Sequence, residues 1–368
     1  MKDKIKNGSV CFFAYDLSFG GAEKVIVTMA NELSLSGRDI SIAMLGQQND
    51  FLNILCPKIK IIPLNCKNIK YSLPKIFNFF YKNTFKNLIV SLWPITCLSF
   101  LVKLIKPQTN FVIIEHCELS EQFKNKGVFF KKSLQLSIKV FYSFANRIIA
   151  VSKGVKRDLI TLGAPVDKIT VIHNPFYQHS QNFNKTYNKE ILEWLKVHEI
   201  NLISVGKLKE CKNFLNLVKS IDILKSKYKK KISLLILGDG DERPQIEKYI
   251  TEHNLQESVF LPGWVPDPVP YMELSDLFLL SSDYEAFGLV IIEALSVGLN
   301  VVSTNSSGPY EILKGGKLGV LCKINDPLSM AESIIAALSN PISKELLMRR
   351  AAEFKPKKII QEYEKILN

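Results

Sequence analysis

No Cys-x-x-Cys pair occurs in this chain, and its seven cysteines lie scattered, mostly in or beside apolar runs such as SVCFFAY. The spacing excludes the common zinc-binding patterns, and the odd count argues against a disulfide framework. A reducing compartment is the simplest setting. The N-terminal MKDKIKNGS lacks the apolar core of a secretory signal, so a cytoplasmic protein is expected. Long hydrophobic runs are scarce as well. The strongest, NLIVSLWPITCLSFLVKLI at 87–105, is split by Pro94 into a strand and an amphipathic helix, so no transmembrane span is expected. A complete G-x-G-x-x-G is also missing. LILGDGDERPQIE carries Gly238 and Gly240, but Asp239 and Asp241 would repel a phosphate held there. That loop reads as a close-packed turn able to line a nucleoside, and a nicotinamide role is not expected.

What is present is a long chain with full cores. Its 368 residues are 47% hydrophobic, enough for two ordinary domains. The net charge of +13 is unevenly placed: residues 1–189 carry +15 and the remainder −2. A lysine-rich genome would bias both halves, so the asymmetry points to one face built for an anionic partner, a membrane or a nucleic acid. Residues 121–147 concentrate it, with Lys124, Lys126, Lys131, Lys132, Lys139 and Arg147 against Glu121. Phe130, Leu134, Ile138 and Phe141 recur there at helical spacing and form one apolar stripe. That stripe suits either packing on a sheet or a membrane surface, and the lysines beside it face outward.

Strand and helix alternate along the chain. SVCFFAY, DISIAML, NLIVSLW, FVIIEH and RIIAVS are apolar runs bounded by loops, as in strands covered on both faces. GGAEKVIVTMANELSLSG is a helix with Val25, Met29 and Leu33 on one stripe. The pattern weakens at 174–198, which reads as a linker. It restarts with NLISVGKL, KISLLILGDG, DLFLLSS and NVVSTN as strands, and helices near 212–226, 242–252, 286–297 and 326–339. The reading is α/β: two Rossmann-like parallel-sheet domains facing a deep cleft, with ligands at the carboxyl ends of the strands. Residues 1–189 form the first domain and 190–350 the second. A helix at 351–368 is expected to return to the first.

Four loops carry the chemistry. DLSFGGAEK places Gly20 and Gly21 where a helix begins, so an anion can approach the free backbone N–H groups. SVGKLKECKNF places Lys207 past a strand end and Lys212 at a helix start, where the helix dipole disfavours a cation unless a phosphate lies between. SSDYEAFGLVIIEALSVG puts Glu285 in a loop and Glu293 inside the following helix among apolar neighbours. A carboxylate accepts both hydroxyls of a vicinal diol, so these acids suit a sugar. NSSGPYEIL sets Gly308 and Pro309 ahead of a short helix with Glu311. Together the loops describe a site for a nucleoside diphosphate carrying a sugar.

The seven residues between Glu285 and Glu293 resemble the E-x7-E motif of retaining glycosyltransferases of the two-domain GT-B fold, family 4. Other landmarks fall in family order over nearly the whole chain: FGGAE at 19–23, EH at 115–116, AVS at 150–152, VGKL at 205–208, LGDGD at 237–241, LPGWV at 261–265 and SSGPYEIL at 306–313. The last is similar to a branch that builds bacterial surface polysaccharides, often from UDP-linked hexoses or N-acetylhexosamines. The resemblance implies that Gly20 and Gly21 meet the diphosphate and that Lys207 and Lys212 neutralise it as it leaves. It gives Glu293 the ribose diol, Glu285 the donor hexose, and the backbone of Phe287, Gly288 and Leu289 the sugar and phosphate. His116 matches a histidine near the sugar and acceptor. A nucleotide-sugar donor, a polyprenyl-diphosphate-linked glycan acceptor, an anionic membrane surface and other polysaccharide-assembly enzymes are the implied partners. The donor is a substrate, and no cofactor or metal is implied. Attachment would be peripheral, on the inner face of the cell membrane.

Three departures stand out. Glu285-Ala286-Phe287 replaces the family's Glu-Gly-Phe, Asn174-Pro175-Phe176 replaces Asn-Gly-Val-Asp, and Lys207 stands for the usual arginine, losing its rigid fork but keeping its charge. Two other classes of function remain open from the residues. One is a nucleic-acid-binding module using Lys–aromatic segments such as KIFNFFYKNTFK. The other is an inactive sugar-nucleotide-binding protein. Nucleic acid is not the expected partner, because the same composition suits a membrane surface.

Overall fold

A computed structural model describes residues 9–18, 20–66, 72–176, 188–229 and 231–368. Backbone proximity divides the chain into two compact units, Met1–Tyr177 with Phe354–Asn368, and Gln178–Glu353. The first unit holds strands β1 (Val10–Ala14), β2 (Ile40–Met44), β3 (Lys60–Pro63), β4 (Asn87–Ser91), β5 (Asn110–Glu115), β6 (Arg147–Ala150) and β7 (Ile169–Val171). They lie in the order β3-β2-β1-β4-β5-β6-β7, with every pairing parallel. β1 and β2 are buried along their whole length, which explains their unbroken apolar sequence. Helix Gly21–Leu35 buries Val25, Met29 and Leu33 against this sheet, the stripe read from the sequence.

The second unit holds β8 (Asn201–Val205), β9 (Ser233–Leu237), β10 (Val259–Gly263), β11 (Leu277–Leu280), β12 (Asn300–Thr304) and β13 (Val320–Cys322). Their order is β10-β9-β8-β11-β12-β13, again all parallel. Its helices include Phe214–Ser226, Arg243–Glu252, Leu289–Ser296 and Pro327–Ser339. Both sheets are doubly wound. The chain reverses direction between β1 and β4 in one, and between β8 and β11 in the other. Such reversal points open a crevice at the carboxyl ends of the strands.

Part of the presumed linker is a helix, Lys189–Val197. The Asn-, Gln- and Pro-containing stretch before it hid it, but Ile191 and Leu195 sit four apart and are buried, and the Asn188 side chain caps its first turn. Residues 177–187 of that stretch lie outside the described residues. The last helix, Pro356–Leu367, packs on Gly21–Leu35 within the first unit and buries Ile359, Ile360, Tyr363 and Leu367. Arg38 pairs with Glu364 at 3.3 Å. Asn87, fully buried, donates to the Leu367 carbonyl at 3.1 Å and accepts from Asn110 at 2.7 Å. The end of the chain thus satisfies polar groups at the amino ends of β4 and β5.

Ile359→Ala should lower the stability of the first unit by about 2–5 kcal/mol, the usual cost of such a core truncation. Tyr363→Phe should not lower it, because the buried Tyr363 hydroxyl has no hydrogen-bond partner among the described residues. Thermal unfolding of both variants checks this; equal losses would contradict the packing described.

Candidate active site

In the second unit, the two strands flanking the reversal point send out the loops singled out by sequence. The loop after β8 is anchored first. Leu208 is fully buried; its N–H donates to the Asp239 carbonyl at 2.9 Å and its own carbonyl accepts from Glu242 N–H at 3.1 Å. Lys207, beside it, is exposed. A short 3-10 turn, Glu210–Lys212, follows and ends at Asn213, whose φ is +47°. The Asn213 carboxamide caps helix Phe214–Ser226 by accepting from Asn216 N–H at 3.3 Å, and donates to Asp283 at 2.8 Å. Ser281 Oγ donates to the Lys212 carbonyl at 2.7 Å, and Asp283 N–H to the Cys211 carbonyl at 2.9 Å. Three hydrogen bonds, donated by a hydroxyl, a backbone N–H and a carboxamide, therefore stitch the loop after β8 to the loop after β11. Across this seam the Lys212 ammonium forms an ion pair with the Glu285 carboxylate, both partly buried.

The Glu285 loop is held from the other side by the turn after β12. Gly308 N–H donates to the Glu285 carbonyl at 2.9 Å. A Cβ at Gly308 would lie 2.4 Å from the Phe287 carbonyl oxygen and 2.5 Å from its nitrogen, so only glycine permits this approach. Gly288, at φ +99°, turns the chain into helix Leu289–Ser296. Ala286 is buried and does not adopt positive φ, so replacing the family's glycine there introduces no backbone strain. Leu289 opens the helix, and Glu293, only 4% exposed, lies in its second turn.

The turn at Gly238 and Gly240 is close-packed, as its sequence suggested. A Cβ at Gly238 would meet the Gly206 carbonyl oxygen at 1.9 Å, and one at Gly240 the Leu208 carbonyl at 2.4 Å. These glycines let the β9 loop lie against the Lys207 loop.

In the first unit, Gly20 precedes helix Gly21–Leu35 at the end of the loop from β1. The carboxylate of Glu23, in that helix's first turn, lies over Gly20, within 2.1 Å of where a Cβ would stand. An anion at Gly20 and Gly21 would have to move it aside. His116 follows β5 and is 8% exposed; neither ring nitrogen has a hydrogen-bond partner among the described residues. Burial lowers its pKa to about 4, opposed by the nearby Asn174 amide, so the ring is neutral at neutral pH. Asn174 stands close enough to favour the charged ring, yet its Oδ1 completes no bond of acceptable geometry.

One group named only as part of the EH landmark was given no role by the sequence. Glu115, the last residue of β5, is fully buried, and no cation pairs with it among the described residues. The Tyr142 hydroxyl donates to one of its carboxyl oxygens and is itself bonded to Thr96 Oγ1 at 2.8 Å. Burial raises the Glu115 pKa to about 7, against the Tyr142 and Thr96 hydrogen bonds that lower it.

Two doubly wound parallel-sheet units make this a GT-B fold, and solved structures agree. Anabaena HepE in complex with UDP and glucose matches with a TM-score of 0.79 at 18% identity, over 98% of this chain and 99% of that one. Residues 192–354 match the family described as glycosyl transferases group 1, and residues 19–176 match glycosyltransferase family 4. The chain belongs to glycosyltransferase family 4. It is 26% identical over 367 residues to the N-acetylgalactosamine-N,N'-diacetylbacillosaminyl-diphospho-undecaprenol 4-alpha-N-acetylgalactosaminyltransferase of Campylobacter jejuni, covering 96% of this chain and 95% of the relative. It is 23% identical over 364 residues to the amylovoran biosynthesis glycosyltransferase AmsD of Erwinia amylovora, covering 95% and 96%.

Glu115 and His116 set opposite pH dependences. Between about pH 4.5 and 7 the folded chain keeps a proton on Glu115 that the unfolded chain has lost, so stability falls as pH rises. Between about pH 4 and 6.5 the unfolded chain protonates His116 while the folded chain does not, so stability falls as pH falls. The two slopes cancel where the windows overlap. In Glu115→Gln only the histidine slope remains. The stability of the variant relative to wild type should grow by ~3 kcal/mol as pH rises from 4.5 to 7, at about 1.4 kcal/mol per unit. Denaturant unfolding across that range measures it; a constant difference would refute the assignment.

Proposed function

We propose that this glycosyltransferase is a metal-independent, retaining enzyme. It moves a hexose or N-acetylhexosamine from a UDP-sugar to a polyprenyl-diphosphate-linked glycan in surface-polysaccharide synthesis. The Lys212–Glu285 pair at the reversal point of the second sheet carries the reading. It joins a cation suited to a diphosphate and an acid suited to sugar hydroxyls. UDP in the HepE complex supports the donor class, and the diphospho-undecaprenol in the name of the Campylobacter jejuni relative supports the acceptor class.

In this reaction the bond between the anomeric carbon and the donor phosphate oxygen breaks as the acceptor oxygen bonds on the same face. The acceptor proton passes to the departing phosphate oxygen. Lys207, Lys212 and the amides at the start of helix Leu289–Ser296 stabilise the charge that develops, so positive charge comes from the protein itself. Glu293 holds the ribose diol and Glu285 the hexose hydroxyls. In the first unit, neutral His116 offers one ring nitrogen as donor and one as acceptor to a hydroxyl, and Gly20 and Gly21 meet the diphosphate.

The first unit also supplies the membrane face in this proposal. The stripe that suited either sheet packing or a membrane surface packs inward: Leu134 and Ile138 of helix Val128–Phe141 are buried, and Phe130 and Phe141 are half-buried. The outer apolar residues are others, Phe129 at 91% exposed, with Val128 and Leu136. Lys131, Lys132 and Lys139 are exposed on the same helix. Phe100, partly exposed, extends the apolar surface through ring contacts with Phe141 at 6.3 Å and Phe144 at 5.3 Å. No described helix is long and apolar enough to cross a membrane. Apolar insertion plus lysines, each contributing about 1 kcal/mol near an anionic leaflet, gives reversible surface attachment.

Calorimetric titration with UDP, GDP and ADP should show one preferred nucleotide, UDP; binding of none would end the donor proposal. Glu293→Gln should weaken donor binding roughly tenfold, since a hydrogen bond to a charged group contributes about 1.5–3 kcal/mol, while the melting temperature stays near wild type. A large stability loss with unchanged donor affinity would make Glu293 structural. Anionic vesicles should co-sediment the protein at low salt and release it at high salt. Phe129→Ser should reduce that binding without changing nucleotide affinity, and equal failure on anionic and neutral vesicles would remove the membrane face.

A further inference from the structure

Glu115 is an expensive residue to keep. A buried carboxyl without a cation costs stability, and an apolar side chain of similar size would pack there at less cost. Its bonds, however, lie where loops meet. Glu115 ends β5 and directly precedes His116. Tyr142, fully buried, follows helix Val128–Phe141 and joins Glu115 to Thr96 in the 3-10 turn Ile95–Leu98 after β4. A second tie runs parallel to the first. Trp93 Nε1 donates to Ser137 Oγ at 3.0 Å, and Ser137 Oγ donates to the Leu134 carbonyl at 2.7 Å. Cys97 and Asp158 also face the carboxyl, and neither supplies positive charge.

His116 has no comparable support of its own. With both ring nitrogens unpartnered, no hydrogen bond within the described residues orients the imidazole. Its place is therefore set by packing and by the backbone that Glu115 anchors. We propose that Glu115 and Tyr142 are positioning residues for the transfer reaction, fixing the end of β5 so that His116 is presented in one orientation. This rests on the role given to His116 under the proposed function. It adds a reason for the buried acid: the Tyr142 hydroxyl needs an acceptor at that point, and the carboxyl supplies it while tying three loops together.

The test separates position from stability. Tyr142→Phe removes one oxygen and keeps the ring. It should lower kcat about tenfold with donor-nucleotide affinity unchanged within twofold, because neither Tyr142 nor Glu115 is among the groups assigned to the nucleotide. Glu115→Met, which removes the acceptor, should do the same, and Glu115→Gln, which retains one, should recover most of the loss. In a His116→Ala background Tyr142→Phe should cost nothing further. Unchanged kcat in Tyr142→Phe, or its full loss repeated in His116→Ala, would overturn the proposal. The 15N ring signals of His116, compared between wild type and Tyr142→Phe, decide the matter if His116→Ala is inactive or no transfer is found. A shifted or doubled His116 signal is expected, and an unchanged one overturns positioning whatever becomes of the proposed reaction.

Discussion

The second unit's site depends on the loop after β8 being fastened to the loop after β11. An ion pair alone would not achieve this. Surface pairs contribute little, and partly buried ones lose much of their attraction to desolvation. Here the fastening is done first by short-range bonds: Ser281 to the Lys212 carbonyl, Asp283 to the Cys211 carbonyl, and Asn213 to Asp283. Those bonds bring Lys212 and Glu285 together at little further entropic cost. The pair is thus better understood as the product of a rigid seam than as its cause. Gly308 closes the other side of the same loop. A methyl group there would collide with the Phe287 backbone and shift the segment that bears Glu285.

The two units solve opposite electrostatic problems. The second unit places charged groups at its strand ends and pairs them. The first places a carboxyl and an imidazole at the end of β5, and among the described residues neither is paired with an opposite charge. Desolvation then drives both toward neutrality, Glu115 upward and His116 downward. The first unit keeps its positive charge on its surface instead, on lysines such as Lys131, Lys132 and Lys139. A basic exterior over a neutral interior is consistent with the proposed anionic surface, because the attraction then acts outside and does not perturb the groups at the strand ends.

Much of this was legible in the sequence, and the reason is local. A buried parallel strand is a short apolar run, so β1, β2, β8 and β11 announce themselves. Glu285 and Glu293 lie eight positions apart, and helix Leu289–Ser296 fixes most of what separates them. What was hidden was non-local. Lys212 and Glu285 are 73 positions apart, and although their loops were set around one site, nothing in either segment indicates the ion pair between them. The Glu115–Tyr142 bond spans 27 positions and looks, in sequence, like a strand-ending acid and an unrelated aromatic. Asn213 was detectable: an Asn just before an apolar-periodic run is an N-cap signal. The amphipathic helix and its stripe of Phe130, Leu134, Ile138 and Phe141, buried or half-buried in the structure, were legible from their spacing; the exposed Val128, Phe129 and Leu136 on the same helix were not singled out.

The seam also bears on how donor recognition would be divided in the proposed reaction. Glu285 is both the partner of Lys212 in the free protein and the acid assigned to the hexose. A diphosphate that draws Lys212 away leaves a partly buried carboxylate without its cation, which is unfavourable unless another group donates to it. The hydroxyls of the transferred sugar are such donors. A nucleotide lacking the sugar gains Lys212 but strands Glu285, whereas the complete donor satisfies both. In the proposed reaction, recognition of the two halves of the substrate would thus be linked through one ion pair, by an exchange of partners at the loop ends.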